Sequence, residues 1–128
     1  MNEDDVKAVM RVPWVSIGSD GSALNLEISR QAAPAQLSAP IRRVLGKYTR
    51  EEKVLTLEDA RRKMTSMPAQ VLGLKDRGLL REGYWGDVVV FDPDTVADTA
   101  DLRQSEAVSE SAFRMCLVNG SVVIDSNT

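Results

Sequence analysis

Apolar residues recur at helical spacing through Ile41, Val44, Leu45 and Tyr48, the i, i+3, i+4, i+7 stripe of an amphipathic helix. Pro40 suits the first turn of that helix, and Arg42, Arg43, Lys47 and Arg50 lie largely off the stripe. A second helix is predicted after Thr56, with Asp59 placed to approximate a capping box and Leu57, Ala60 and Met64 as its buried face. A third, short helix begins near Pro68 and stops at Gly73, a favourable residue just past a helix end. Near the start, residues 3–10 read as a short helix. Asn2 is its N-cap, and Glu3, Asp4 and Asp5 complement the helix dipole.

Extended segments alternate with these helices. Val12–Ile17 reads as a strand with Trp14 inside it, ending in the turn Gly18-Ser19-Asp20-Gly21. Ser22–Ala39 has little periodicity and is expected to be a long loop. Leu79-Leu80 is a short strand candidate, and Asp87–Asp92 a firm one. Within the latter, Val88, Val89, Val90 and Phe91 form an unbroken row that suits a strand buried on both faces. Pro93 ends that strand, and residues 93–112 are a polar surface excursion. Arg114–Val118 and Ser121–Asp125 flank Asn119-Gly120, a strong two-residue hairpin signal. The order is helix, strand, loop, helices and a small β unit: an α/β chain divided into 1–73 and 74–128.

Composition narrows the function. The chain has 128 residues, 43% of them hydrophobic, about one ordinary domain with enough apolar content for a core. A net charge of −3 argues against nucleic acid as a partner. No apolar run is long enough to span a bilayer, and the acidic N-terminus lacks the apolar stretch of a secretory signal. A single cysteine rules out an internal disulfide and fits the cytoplasm. Histidine is absent altogether. That removes Ser-His-Asp and Cys-His mechanisms and makes a zinc site within the chain unusual, so a complete catalytic centre is either assembled with another segment or does not exist.

Asp20 leads the candidates for chemistry, because a carboxylate just past a strand sits where α/β barrels place their active sites. The plainer alternative is an Asx-type turn. Asp92, Asp94, Asp98 and Asp101 suggest calcium but fail the EF-hand template, and read as a solvated loop. Arg42, Arg43, Lys47, Arg50 and Lys53 are interleaved with Glu51 and Glu52 and read as a solvated helix face rather than an anion site. Cys116 is expected to pack in its strand. Trp14, Tyr84 and Trp85 read as packing residues, and no phosphate-binding loop is present.

Four collinear blocks carry a family resemblance: Trp14-Val15-Ser16-Ile17-Gly18-Ser19-Asp20-Gly21; Arg43–Tyr48 continuing through Arg50–Glu58; Arg62–Ser66 with Pro68-Ala69 and Leu72-Gly73-Leu74; and Leu74–Val96 followed by Leu117-Val118-Asn119-Gly120. Together they resemble the N-acyl-D-amino-acid deacylases (D-aminoacylases) of the amidohydrolase superfamily. The resemblance implies a zinc-dependent (β/α)₈ barrel carrying a small β-sandwich. This chain would supply the last strand and helices of the barrel, followed by part of the sandwich. A whole barrel takes about 250 residues, so the chain is expected to be a truncated piece.

By the same resemblance, the substrate is a small N-acyl-D-amino acid, hydrolysed to a carboxylate and a D-amino acid. Asp20 matches the aspartate that takes a proton from the attacking water and passes it to the leaving amine. The metal ligands fall in segments outside this chain, Asp20 being at most a weak one. The chain alone is therefore expected to bind no zinc and to be inactive. The alternative is a non-catalytic module that self-associates through open strand edges and uncovered apolar faces.

Overall fold

Capping by local side chains sets the helix boundaries in the computed structural model, which describes residues 2–19, 40–96 and 112–125. Helix α1, Glu3–Arg11, begins where Asn2 Oδ1 accepts the Asp4 amide at 3.3 Å. Its acidic first turn and Arg11 in its last both match the helix dipole. Helix α2, Leu57–Met64, begins where Thr56 Oγ1 accepts the Asp59 amide at 3.2 Å. The expected box is not closed by Asp59, whose carboxylate instead accepts Arg62 Nε and Nη2 at 3.0 and 2.9 Å. Helix α3, Ser66–Val71, follows after Thr65, and the chain leaves helical geometry at Gly73 as expected.

The stripe beginning at Ile41 forms a helix of two kinds. Residues 40–43 are α-helical and continue into a π-helix, π1, over Val44–Glu51. A π-helix bonds each amide to the carbonyl five residues back. The Glu52 amide accordingly donates to the Lys47 carbonyl at 2.8 Å. The stripe serves two clusters of core residues. Val44 and Tyr48 pack with Val54, Leu55 and Ala60, joined by Val6 and Met10 of α1 and by Ile17. Leu45 packs with Val96 and Ala112, joined by Phe91 and Phe113. Met64 touches both clusters.

The second cluster ties the helices to an antiparallel sheet of three strands: β1 (Val88–Phe91), β2 (Phe113–Val118) and β3 (Ser121–Asp125), in that order. The β2–β3 hairpin forms as expected. Asn119 and Gly120 take φ of 52° and 79°, the left-handed pair that a two-residue turn needs to match the strand twist. Phe91 and Phe113 pair across β1 and β2 with ring centroids 6.2 Å apart.

Several expectations are corrected. No strand forms over Val12–Ile17: the chain turns at residues 12–14 and runs on irregularly, with no neighbouring strand among the described residues to complete a ladder. Leu79-Leu80 is also not a strand, and both leucines are exposed. β1 is not buried on both faces, since Val89 and Val90 are each about half exposed. The buried face of α2 is Ala60 with Lys63, while Leu57 and Met64 are only half-buried. The loop Ser22–Ala39 and most of the excursion at 93–112 lie outside the described residues.

The basic positions are not simply a solvated face. Arg42 is buried, with its guanidinium 5.3 Å from the centre of the Phe113 ring. Arg50 donates to the carbonyls of Val96 and Pro93 at 2.5 and 3.1 Å, pinning the turn after β1. Lys47 Nζ and the Tyr48 hydroxyl both donate to Glu3 Oε1, at 2.5 and 2.9 Å, and Lys7 bridges to Glu52 at 2.9 Å. These contacts clasp α1 to π1. Lys47 and Tyr48 hold the Glu3 carboxyl below its ordinary range, and Lys7 does the same to Glu52. The lysines respond in the opposite direction: Glu3 raises Lys47 and Glu52 raises Lys7. Arg43 and Lys53 are exposed, and Lys53 makes no ion pair among the described residues. No described helix is long and apolar enough to cross a membrane.

Candidate functional site

The approach to Asp20 is built by the C-terminal end of α2. Lys63 lies in the last turn of that helix and is 0% exposed. Its Nζ donates to the carbonyl oxygens of Val12 and Val15 at 2.5 and 3.0 Å. In return, the Lys63 carbonyl accepts the Ile17 amide at 2.9 Å. Arg62 Nη2 donates to the Pro13 carbonyl at 3.0 Å while Asp59 holds its guanidinium in place. Residues 12–17 are thus fixed by a helix rather than by a sheet. A buried ammonium is costly unless compensated. Here two carbonyls and the negative end of the α2 dipole offset that cost.

Ile17 turns its side chain into the first cluster, whereas Trp14 is 81% exposed, against the expectation that it packs. The segment continues through Gly18 and Ser19 into Asp20. Asp20 itself lies outside the described residues, as do Asp98 and Asp101. Asp92 is described, and its Oδ1 accepts the Asp94 amide at 2.9 Å, an ordinary turn-forming contact.

No group of three or more His, Cys, Asp or Glu side chains is placed to hold a metal among the described residues. The sequence has no histidine, and Cys116 is half-buried in β2. The donor set in the described residues does not fit a zinc centre.

A second polar cluster joins the loop before β1 to the hairpin turn. The Asn119 amide donates to Asp87 Oδ1 at 2.8 Å, Arg77 also pairs with Asp87, and Arg77 Nη2 reaches Asn119 Oδ1 at 2.6 Å. The Asn119 amide and Arg77 hold the Asp87 carboxyl below its ordinary range. Trp85 is half exposed rather than packed; its indole donates to Asp76 Oδ2 at 2.9 Å and its ring lies 5.1 Å from the Arg77 guanidinium. This cluster orders a turn and presents no catalytic group. Lys63 and Arg62 escaped the reading of the sequence as anchors of residues 12–15. The available signal was a cation three positions after Ala60, on the face of α2 expected to be buried.

The sequence pattern of the Amidohydrolase family matches residues 4–124. The chain belongs to that family. It is 42% identical over 124 residues to the N-acyl-D-glutamate deacylase of Alcaligenes xylosoxydans xylosoxydans, covering 96% of this chain and 24% of that relative. Within the family it is also similar in structure to an N-acyl-D-glutamate deacylase from Bordetella bronchiseptica. That enzyme was solved with zinc and a phosphonate that mimics the tetrahedral intermediate; the TM-score is 0.83 at 42% identity, over 98% of this chain and 25% of that one. A D-aminoacylase described as having a binuclear metal centre matches with a TM-score of 0.84 at 35% identity, over all of this chain and 26% of that one. The resemblance read from the four sequence blocks is borne out. The chain spans about a quarter of the length of these relatives.

Proposed function

We propose that this chain supplies the aspartate-bearing quarter of an N-acyl-D-amino-acid deacylase, with Asp20 as general base. The observation that carries the reading is the collinear likeness of nearly the whole chain to a deacylase solved with an intermediate mimic. A carboxylate suits the role: it takes a proton from the attacking water and returns it to the departing amine. The described residues do not fit the metal seen in the relative, so any metal is held by other segments of such an enzyme, and the chain alone is inactive. On this reading residues 1–73 complete a barrel and residues 74–128 contribute to a small β domain.

The test is a chimera in which this chain replaces the matching quarter of the Bordetella bronchiseptica enzyme. The chimera should hydrolyse an N-acyl-D-amino acid, and Asp20→Asn should lower its kcat by about 10²–10⁴-fold, the range general base catalysis supplies. Asp20-dependent hydrolysis by the purified 128-residue chain would overturn the claim of inactivity. A chimera indifferent to Asp20→Asn would overturn the role of Asp20.

One observation favours a second reading, a self-associating module without chemistry. Val122, Val123 and Ile124 of β3 are all about half exposed, and among the described residues β3 pairs only with β2. An apolar strand with an open edge invites pairing with another chain. Light scattering coupled to size-exclusion chromatography decides it: a strictly monomeric, folded chain removes this alternative.

A further inference from the structure

We propose that Asn119 is a deamidation site held dormant by Arg77 and by the backbone at Gly86, and that its conversion uncouples the hairpin turn from the loop before β1. Of the asparagines in the chain, Asn2, Asn25, Asn119 and Asn127, only Asn119 is followed by glycine. Glycine has no side chain to hinder its nitrogen. The Gly120 nitrogen can therefore lose its proton to a solvent base and attack Asn119 Cγ. A nitrogen–Cγ bond forms, the Cγ–Nδ2 bond breaks, and the amide nitrogen takes a proton from water and leaves as ammonia. Water then opens the resulting succinimide at either carbonyl, giving aspartate or isoaspartate at position 119. Asn119 and Gly120 are both exposed, so water reaches the ring.

The folded turn opposes the first step. The Gly120 amide donates to the Gly86 carbonyl at 2.9 Å and must give up that bond before it loses its proton. Arg77 Nη2 donates to Asn119 Oδ1 at 2.6 Å, so the side-chain amide cannot rotate toward its attacker without breaking a charge-assisted hydrogen bond. The guanidinium also polarises that carbonyl, but a tethered amide gains nothing from it. Asp87 completes the lock, accepting the Asn119 amide at 2.8 Å and pairing with Arg77. Gly86 permits the close approach, since a Cβ there would lie 3.1 Å from both N and Cα of Gly120. Either product undoes the arrangement. Aspartate sets a second carboxylate beside Asp87 and competes for Arg77. Isoaspartate lengthens the main chain by one carbon in a two-residue turn, which disturbs the pairing of Val118 with Ser121.

The experiment incubates the 128-residue chain at mildly alkaline pH and follows ammonia release and the amide-to-acid mass change of the peptide holding Asn119. In concentrated urea Asn119 should convert ahead of the other three asparagines. The folded chain should convert at least about tenfold more slowly than that, and Arg77→Met should speed the folded chain by about tenfold, the worth of one charge-assisted hydrogen bond. Circular dichroism checks that the variant is folded. If it is not, Arg77→Lys makes the same test, because it keeps a cation for Asp87 but lacks the fork that also reaches Asn119. Gly86→Ala leaves Arg77 in place and pushes the Gly120 amide off its acceptor, so it should also speed conversion. After ageing and refolding, the isoaspartate form should exchange its Gly120 amide about tenfold faster than the unmodified chain, as loss of one hydrogen bond allows. Equal rates in the folded and urea-unfolded chain overturn the dormancy. Unchanged or slower conversion in the folded Arg77 and Gly86 variants overturns the lock. Unchanged Gly120 exchange in the aged chain overturns the uncoupling.

Discussion

Val44, Leu45 and Tyr48 on π1 and Val122, Val123 and Ile124 on β3 are similarly apolar clusters, yet the first three are buried and the last three are about half exposed. The difference lies in what meets them. π1 is approached by α1 and by the turn at Val96, held to it by polar contacts at Glu3, Glu52 and Arg50, and by α2, which packs against it through Ala60. Among the described residues, β3 is met by β2 alone. Successive residues of a strand point to opposite faces, so a continuous apolar run needs cover on both. The helical part of this chain completes its own environment, while the sheet presents a surface suited to more protein.

That contrast can be broken by substitution. Tyr48→Ala should cost about 3–5 kcal/mol in urea unfolding, as truncating a buried aromatic does, and should release Glu3 as well. Gly78→Ala comes next. Gly78 takes φ of +83°, and an added Cβ would lie 2.8 Å from Ala69 Cβ and 3.0 Å from Thr65 O and Ser66 Cα. Forced overpacking of this kind costs about 1–3 kcal/mol, so the chain should melt earlier with the sheet itself untouched.

The clasp between α1 and π1 should show as pH dependence. Glu3 and Glu52 titrate below their ordinary range when folded, so their contribution is complete above that range and is lost as pH falls through the lower folded values. Lys7 and Lys47 are raised, so theirs is complete below the ordinary lysine range and is lost as pH rises through the higher folded values. Paired Glu3→Gln and Glu52→Gln changes should flatten the acid limb of a stability profile. An unchanged acid limb would mean the clasp contributes nothing in solution.

The smallest effect is expected on the sheet: Val122→Ser should shift the stability of the isolated chain by no more than about 0.5 kcal/mol, as exposed positions do. The same change in the chimera should cost more if the remaining polypeptide covers that face. Equal effects in both settings would erase the distinction between a completed and an uncompleted region.

What could be read from the sequence follows the range of the forces involved. The Asn2 and Thr56 caps and the Asn119-Gly120 hairpin depend on neighbours within a few residues, and each forms where expected. The stripe through Val44, Leu45 and Tyr48 marked a buried face correctly but gave no hint of π geometry. Val12–Ile17 misled because a strand-like pattern states only a local preference, whereas a strand also requires a partner. Lys63 was illegible as an anchor for a similar reason: its acceptors lie 48 and 51 residues away. The Asp20 assignment came from the family resemblance, which local pattern alone left as an ordinary turn.

The wider turn of π1 has a consequence for how this segment tolerates change in length. Each helical residue advances the direction of the chain by about 100°, and a π segment holds a residue more per hydrogen-bonded loop than an α-helix. Deleting one residue within Val44–Glu51 would let the segment relax into ordinary α geometry. The deletion would also swing Arg50 away from the Val96 and Pro93 carbonyls that it now holds. Chemically mild replacements along this helix should be absorbed; a gap of a single codon should not.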